Sequence, residues 1–151
     1  MSTFKERLRG DLTTSMKARD ELRTATLRMA LAALTAEEVS GSAARELSDD
    51  EVLRVLGREA KKRHEAAEAF AAGGRSELAA RELAEGEVLA GYLPTPLTDA
   101  ELAALVAAAI ASLGAGGPQA MGPVMKALTP QLAGRAEGGR VAAEVRRQLG
   151  S

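Results

Sequence analysis

The stretch Gly91-Tyr92-Leu93-Pro94-Thr95-Pro96-Leu97-Thr98 constrains this chain more than any other. Pro94 and Pro96 each lack an N–H and drive the preceding residue out of the α region, so no helix runs through. Everything before and after the break carries helical patterning. Thr98 reopens it, with Glu101 three residues on in capping-box spacing. Tyr92 and Leu93 ahead of the prolines make the break read as a packed joint between two helical units. The expected division is an N-terminal domain over 1–93, a proline joint over 94–98 and a C-terminal domain over 99–151.

The first helix is expected from Thr3, with Glu6 answering its cap and Phe4, Leu8, Leu12 and Met16 as an apolar stripe. Arg19-Asp20 ends it, and Asp20 can cap a second helix running to about Val39. Leu27, Ala30, Leu31 and Leu34 give that helix one face, while Leu22, Met29 and Ala33 lie on others. Such a helix belongs at the centre of its unit. Ser48-Asp49-Asp50-Glu51 is a second capping box, opening a third helix to Ala72 that places Val52, Leu56, Ala60, Ala67 and Phe70 near one face. Gly73-Gly74 stops it, and a fourth helix from Ser76 to Tyr92 returns antiparallel. The arms of this hairpin span on the order of 25 to 35 Å at 1.5 Å per residue.

Beyond the joint, Leu102, Leu105, Val106, Ala109, Ile110 and Leu113 form a helical stripe that Gly114 terminates. Two short helices follow, from Met121 to Leu128 or Leu132 and from Gly139 to Leu149. Between them Gly134 to Gly139 reads as a glycine-rich turn. No alternating strand pattern exists. The predicted fold is all-α: an N-terminal helical domain with a long antiparallel hairpin, plus a smaller C-terminal domain of about three helices.

Chemistry is constrained by what the chain lacks. It has no cysteine, so thiolate metal sites and cysteine nucleophiles are excluded. The only histidine, His64, has Glu68 where a zinc-protease helix needs a second histidine. The pair reads as a solvated i,i+4 contact. Gly117 to Gly122 imitates a phosphate loop, but Pro123 and Val124 replace its lysine and hydroxyl residue. No catalytic residue, metal ligand or cofactor site is expected. Charges from Lys5 to Asp11 predict no signal segment, and no apolar run approaches the roughly 20 residues of a membrane span. The expectation is a cytoplasmic protein without membrane contact.

With 20 basic and 21 acidic residues the chain has no global nucleic-acid signature, so local charge matters. Arg58, Lys61, Lys62 and Arg63 cluster on the third helix, with Glu59 and Glu65 placed to neutralise them. From Pro118 onward five basic residues (Lys126, Arg135, Arg140, Arg146 and Arg147) face two acids, Glu137 and Glu144. Glycines, Gly134 and Gly138 among them, flank Arg135 and Arg140, so backbone N–H groups there and at the next helix start can meet a phosphate. Stacking aromatics for single-stranded bases are missing from this region.

The run Arg58-Glu59-Ala60-Lys61-Lys62-Arg63, then Gly73-Gly74-Arg75 and Tyr92-Leu93-Pro94, resembles the YqeY family of bacterial proteins. So does Lys17-Ala18-Arg19-Asp20 with Leu27-Arg28-Met29. Met121-Gly122, Val124-Met125-Lys126 and Gly134-Arg135-Ala136 resemble the tail that this family shares with the B subunit of the tRNA-dependent amidotransferase. The family pattern has an acid before Met-Gly and a lysine after it; Ala120 and Pro123 stand there instead. The resemblance implies a two-part helical fold and, from the amidotransferase tail, contact with tRNA or another structured RNA. Lys126, Arg135, Arg140, Arg146, Arg147, Gly134 and Gly138 are the candidate contacts. A different expectation is an assembly factor that meets a protein partner through the hairpin of the third and fourth helices. A third, inherited from the family, is carbon–nitrogen ligation with glutamine as amide donor, for which this chain lacks a serine–lysine amidase signature.

Overall fold

The computed structural model describes residues 3–114, 116–132 and 135–150. Among them the regular elements are all helical: α1 (Thr3–Lys17), α2 (Glu21–Glu38), α3 (Asp49–Ala72), α4 (Ser76–Ala90), α5 (Asp99–Leu113), α6 (Met121–Leu132) and α7 (Gly138–Leu149), with one 3-10 turn at Pro118–Ala120. The all-α expectation holds. The chain divides into two compact units, Met1–Leu93 and Pro94–Ser151.

Local chemistry explains most helix ends. Asp20 accepts from the Arg23 N–H at the start of α2. Ser48 and Glu51 close a reciprocal box at α3, each side chain meeting the other residue's backbone N–H. At α5 Thr98 caps the Glu101 N–H, while the Glu101 carboxylate accepts from the Thr98 hydroxyl instead of its N–H. Thr3 is the first residue of α1 and not its cap; the orphan N–H of Phe4 finds the Asp49 carboxylate at 3.3 Å. Gly74, at φ +75°, stops α3. Helix α4 ends at Ala90, two residues before Tyr92, and a turn carries the chain from there to the prolines.

In the first unit α2 packs against α1, α3 and α4, as its broad apolar surface demands. Leu8, Leu27, Leu34, Leu56 and Leu89 are wholly buried. Each such side chain contributes about 1.5–3 kcal/mol of transfer energy. The stripe expected on α1 fails at Met16, which is 49% exposed. A strict four-residue repeat winds around a helix of 3.6 residues per turn, leaving Met16 about 80° from Leu8. Ser15 falls beneath instead, is buried, and hydrogen-bonds Thr24 at 2.9 Å. Lys5 is buried as well; its ammonium donates to Glu38 at the far end of α2.

In the second unit α5, α6 and α7 pack pairwise around Leu102, Val106, Val124, Leu128, Val141 and Val145. Residues of the expected joint belong here: Leu97 is buried, and its N–H donates to the Arg135 carbonyl at 2.9 Å. Helix α6 continues through Pro130 although the ring removes a donor that the Lys126 carbonyl would have used. Burial of Leu132 beyond the proline offsets that loss.

Candidate functional site

The candidate cations of the second unit lie on α6, on the turn after it and on α7. Val141, Val145 and Leu149 anchor α7 through one buried face, which turns the arginines outward. Arg135 and Arg140 come together at the amino end of α5. Arg140 donates to the Asp99 carboxylate at 2.8 Å, and Arg135 lies 3.9 Å from Glu101 while its Nε reaches the Thr95 carbonyl at 3.5 Å. Both acids lie before Pro118, so a count begun at that proline misses them. Over residues 94–151 the balance is five basic against four acidic residues, and the surplus of three shrinks to one.

Arg147 makes a fork to Glu144 one turn back. That guanidinium, helped by Gln148, holds the Glu144 carboxyl down to about 2. Gln148 also donates to the Ala103 carbonyl at 2.9 Å and so ties α7 to α5. Arg146 is exposed in the last turn. Lys126 is exposed on α6, and its ammonium has no hydrogen-bond or ion-pair partner among the described residues. Gly138 is not a turn residue; with Gly139 it forms the first two positions of α7, whose cap residue, Glu137, makes no side-chain cap hydrogen bond and whose first turn carries no acid. Gly134 lies outside the described residues. The arrangement offers exposed guanidinium and ammonium groups and a helix start without a side-chain cap, groups able to meet an anion. Asp99 and Glu101 are exposed, and pairs with such acids hold by roughly 0–1 kcal/mol, so a phosphate can displace them from Arg140 and Arg135.

A family model described as Yqey-like protein covers residues 5–149. The chain belongs to the Yqey-like family. A search of curated proteins found no match.

In this Yqey-like chain the basic cluster of α3 is spent internally. Arg58 pairs with Glu37, Lys61 with Glu65, Lys62 with Glu59, and Arg63 with Glu82 and Glu85. His64 Nε2 lies 3.2 Å from Glu68, the expected i,i+4 contact. No group of three or more potential metal ligands occurs among the described residues. A shallow groove of about 300 Å³ runs along the hairpin, lined by Ala60, His64, Leu83 and Gly86 among others.

Two features escaped the reading of the sequence. Tyr92, taken there as an apolar residue, donates its hydroxyl to Asp11 at 2.6 Å and accepts from Arg23 at 3.3 Å. The Arg7 guanidinium stacks 4.9 Å from its ring centre and Phe4 meets it edge-on. Its partners lie 69 and 81 residues away, beyond any local pattern. The second is Arg19, a non-glycine residue at φ +58°. The sequence placed the end of α1 at Arg19-Asp20, but an arginine carries no signal for a left-handed backbone.

Proposed function

We propose that this protein binds structured RNA through its C-terminal unit, with tRNA the first ligand to test and with no catalytic step of its own. The observation that carries this reading is α7: an uncapped start at Gly138 and Gly139, followed by Arg140, Arg146 and Arg147 around a buried apolar face. Backbone N–H groups at a helix start and guanidinium groups are both phosphate ligands, and neither reads base sequence. Likeness of the Met121–Ala136 segment to the amidotransferase tail supports the same ligand class.

The test is a titration of labelled total tRNA with the purified protein at two salt concentrations. Saturable binding that weakens steeply with salt is the expected result, since each neutralised phosphate adds about 0.7–0.9 to the log–log slope. Replacing Lys126 and Arg140 by glutamine should weaken all tRNA species alike and reduce that slope by up to about two. No binding at low salt, where phosphate attraction is strongest, would overturn the reading.

A further inference from the structure

The turn between α1 and α2 is a Schellman motif with the wrong residue in it. Asp20 N–H donates to the Ser15 carbonyl and Arg19 N–H to the Met16 carbonyl, both at about 3.0–3.1 Å, which places Arg19 at the left-handed position after the helix. Glycine occupies that position at no steric cost, whereas a side chain with a Cβ is strained there. Among the described residues Arg19 is the only non-glycine with positive φ. The backbone of the turn gains nothing from arginine, so the side chain is what the position retains.

The surroundings say what that side chain meets. Arg19 and Lys17 are exposed and make no side-chain hydrogen bond or ion pair among the described residues. Arg28 leans over from α2 to the end of α1, its Nη2 3.8 Å from the Met16 sulfur. Three carboxylates close in sequence have other partners: Asp11 takes the Tyr92 hydroxyl, Asp20 the Arg23 N–H, and Glu21 a two-bond fork from Arg81. Lys17 and Arg19 thus stand at the turn and Arg28 reaches the end of α1, none of them paired with an acid among the described residues, while Asp20 keeps its charge as it caps α2. Lys17 also complements the dipole of α1, but that effect does not require a strained arginine two residues on.

We propose that Lys17, Arg19 and Arg28 form a phosphate-contact site on the N-terminal unit, distinct from the C-terminal cations and serving the same structured RNA. This rests on the RNA-binding reading. A guanidinium offers paired donors to phosphate oxygens, and the patch has Met16 as its one exposed large apolar side chain, too little for a protein interface core.

The experiment compares full-length wild type, Arg19→Gly, Arg19→Lys and, as a charge control distant in sequence, Arg54→Gln, each by thermal melt and by tRNA titration across a salt series. Arg19→Gly should melt higher than wild type yet bind tRNA several-fold more weakly, with a salt slope smaller by about one. Arg19→Lys and Arg54→Gln should keep the wild-type slope. If wild type binds no tRNA at low salt, the RNA reading falls and takes this site with it. If wild type binds and Arg19→Gly binds equally well, only the turn site falls. A lower melting temperature for Arg19→Gly removes the strain argument, and an equal loss in Arg54→Gln reduces the effect to net charge; either overturns the proposal.

Discussion

Tyr92 shows how one residue takes on several physical roles at once. It is 5% exposed, so its hydroxyl needs partners, and Asp11 and Arg23 supply them. Tyr92→Phe should destabilise the protein by about 1–3 kcal/mol in urea unfolding, because Asp11 and Arg23 lose a charge-assisted partner. Burial pushes the Tyr92 phenol up, and the Asp11 carboxylate pushes it further, against a smaller pull from Arg23. A raised folded pKa favours the protonated form, so its stabilisation is complete below the ordinary tyrosine value near 10 and is lost as pH rises through the folded value. Stability measured from pH 8 to 11 should therefore fall above about pH 10, and Tyr92→Phe should flatten that limb. A steeper limb in Tyr92→Phe would refute the assignment. The sequence marks Tyr92 as apolar and pinned before a proline, which is true of its ring; its hydroxyl partners come from α1 and α2 and appear only when those helices pack.

At the scale of the helix, the same substitution has opposite signs at different glycines. Gly10 lies inside α1 with no atom within 4 Å of an added Cβ. Gly86 lies inside α4, where the new Cβ would meet the Arg63 Cβ at an ordinary 3.6 Å. Gly10→Ala and Gly86→Ala should each stabilise by up to about 1 kcal/mol, since alanine restricts the unfolded chain and favours helix. Gly74→Ala should instead cost about 1 kcal/mol, because position 74 sits at φ +75°. Urea midpoints of the three variants check this, and a stabilised Gly74→Ala would contradict the backbone account. Helix ends were the most legible part of the sequence. Ser48-Glu51, Asp20 and Gly73-Gly74 act within four residues of one another, and local chemistry decides them. Pro130 was less legible, as the burial of Leu132 against the core of its unit outweighs the local preference to stop.

For the whole molecule, two buried clusters matter: one runs from Leu8 to Tyr92, the other from Leu97 to Leu149. A fragment of residues 1–93 carries every member of the first cluster. It should show a helical circular-dichroism spectrum and a cooperative thermal transition; a non-cooperative melt would mean that the first cluster is insufficient by itself. Sequence alone determined that the chain is helical, where α2, α3 and α5 start, and that helix stops before Pro94 and Pro96, because periodicity, caps and missing N–H groups act over a few residues. It also showed that the α3 cations had acids within reach. What the tertiary structure decided is which charges remain available. Asp99 faces Arg140 41 residues away and Glu101 faces Arg135 far along the chain as well, and Glu21 is held by Arg81 sixty residues on. Coulomb attraction depends on distance in space and not along the chain, so which cations of α7 find an acid and which, like Arg19, do not was settled only by folding.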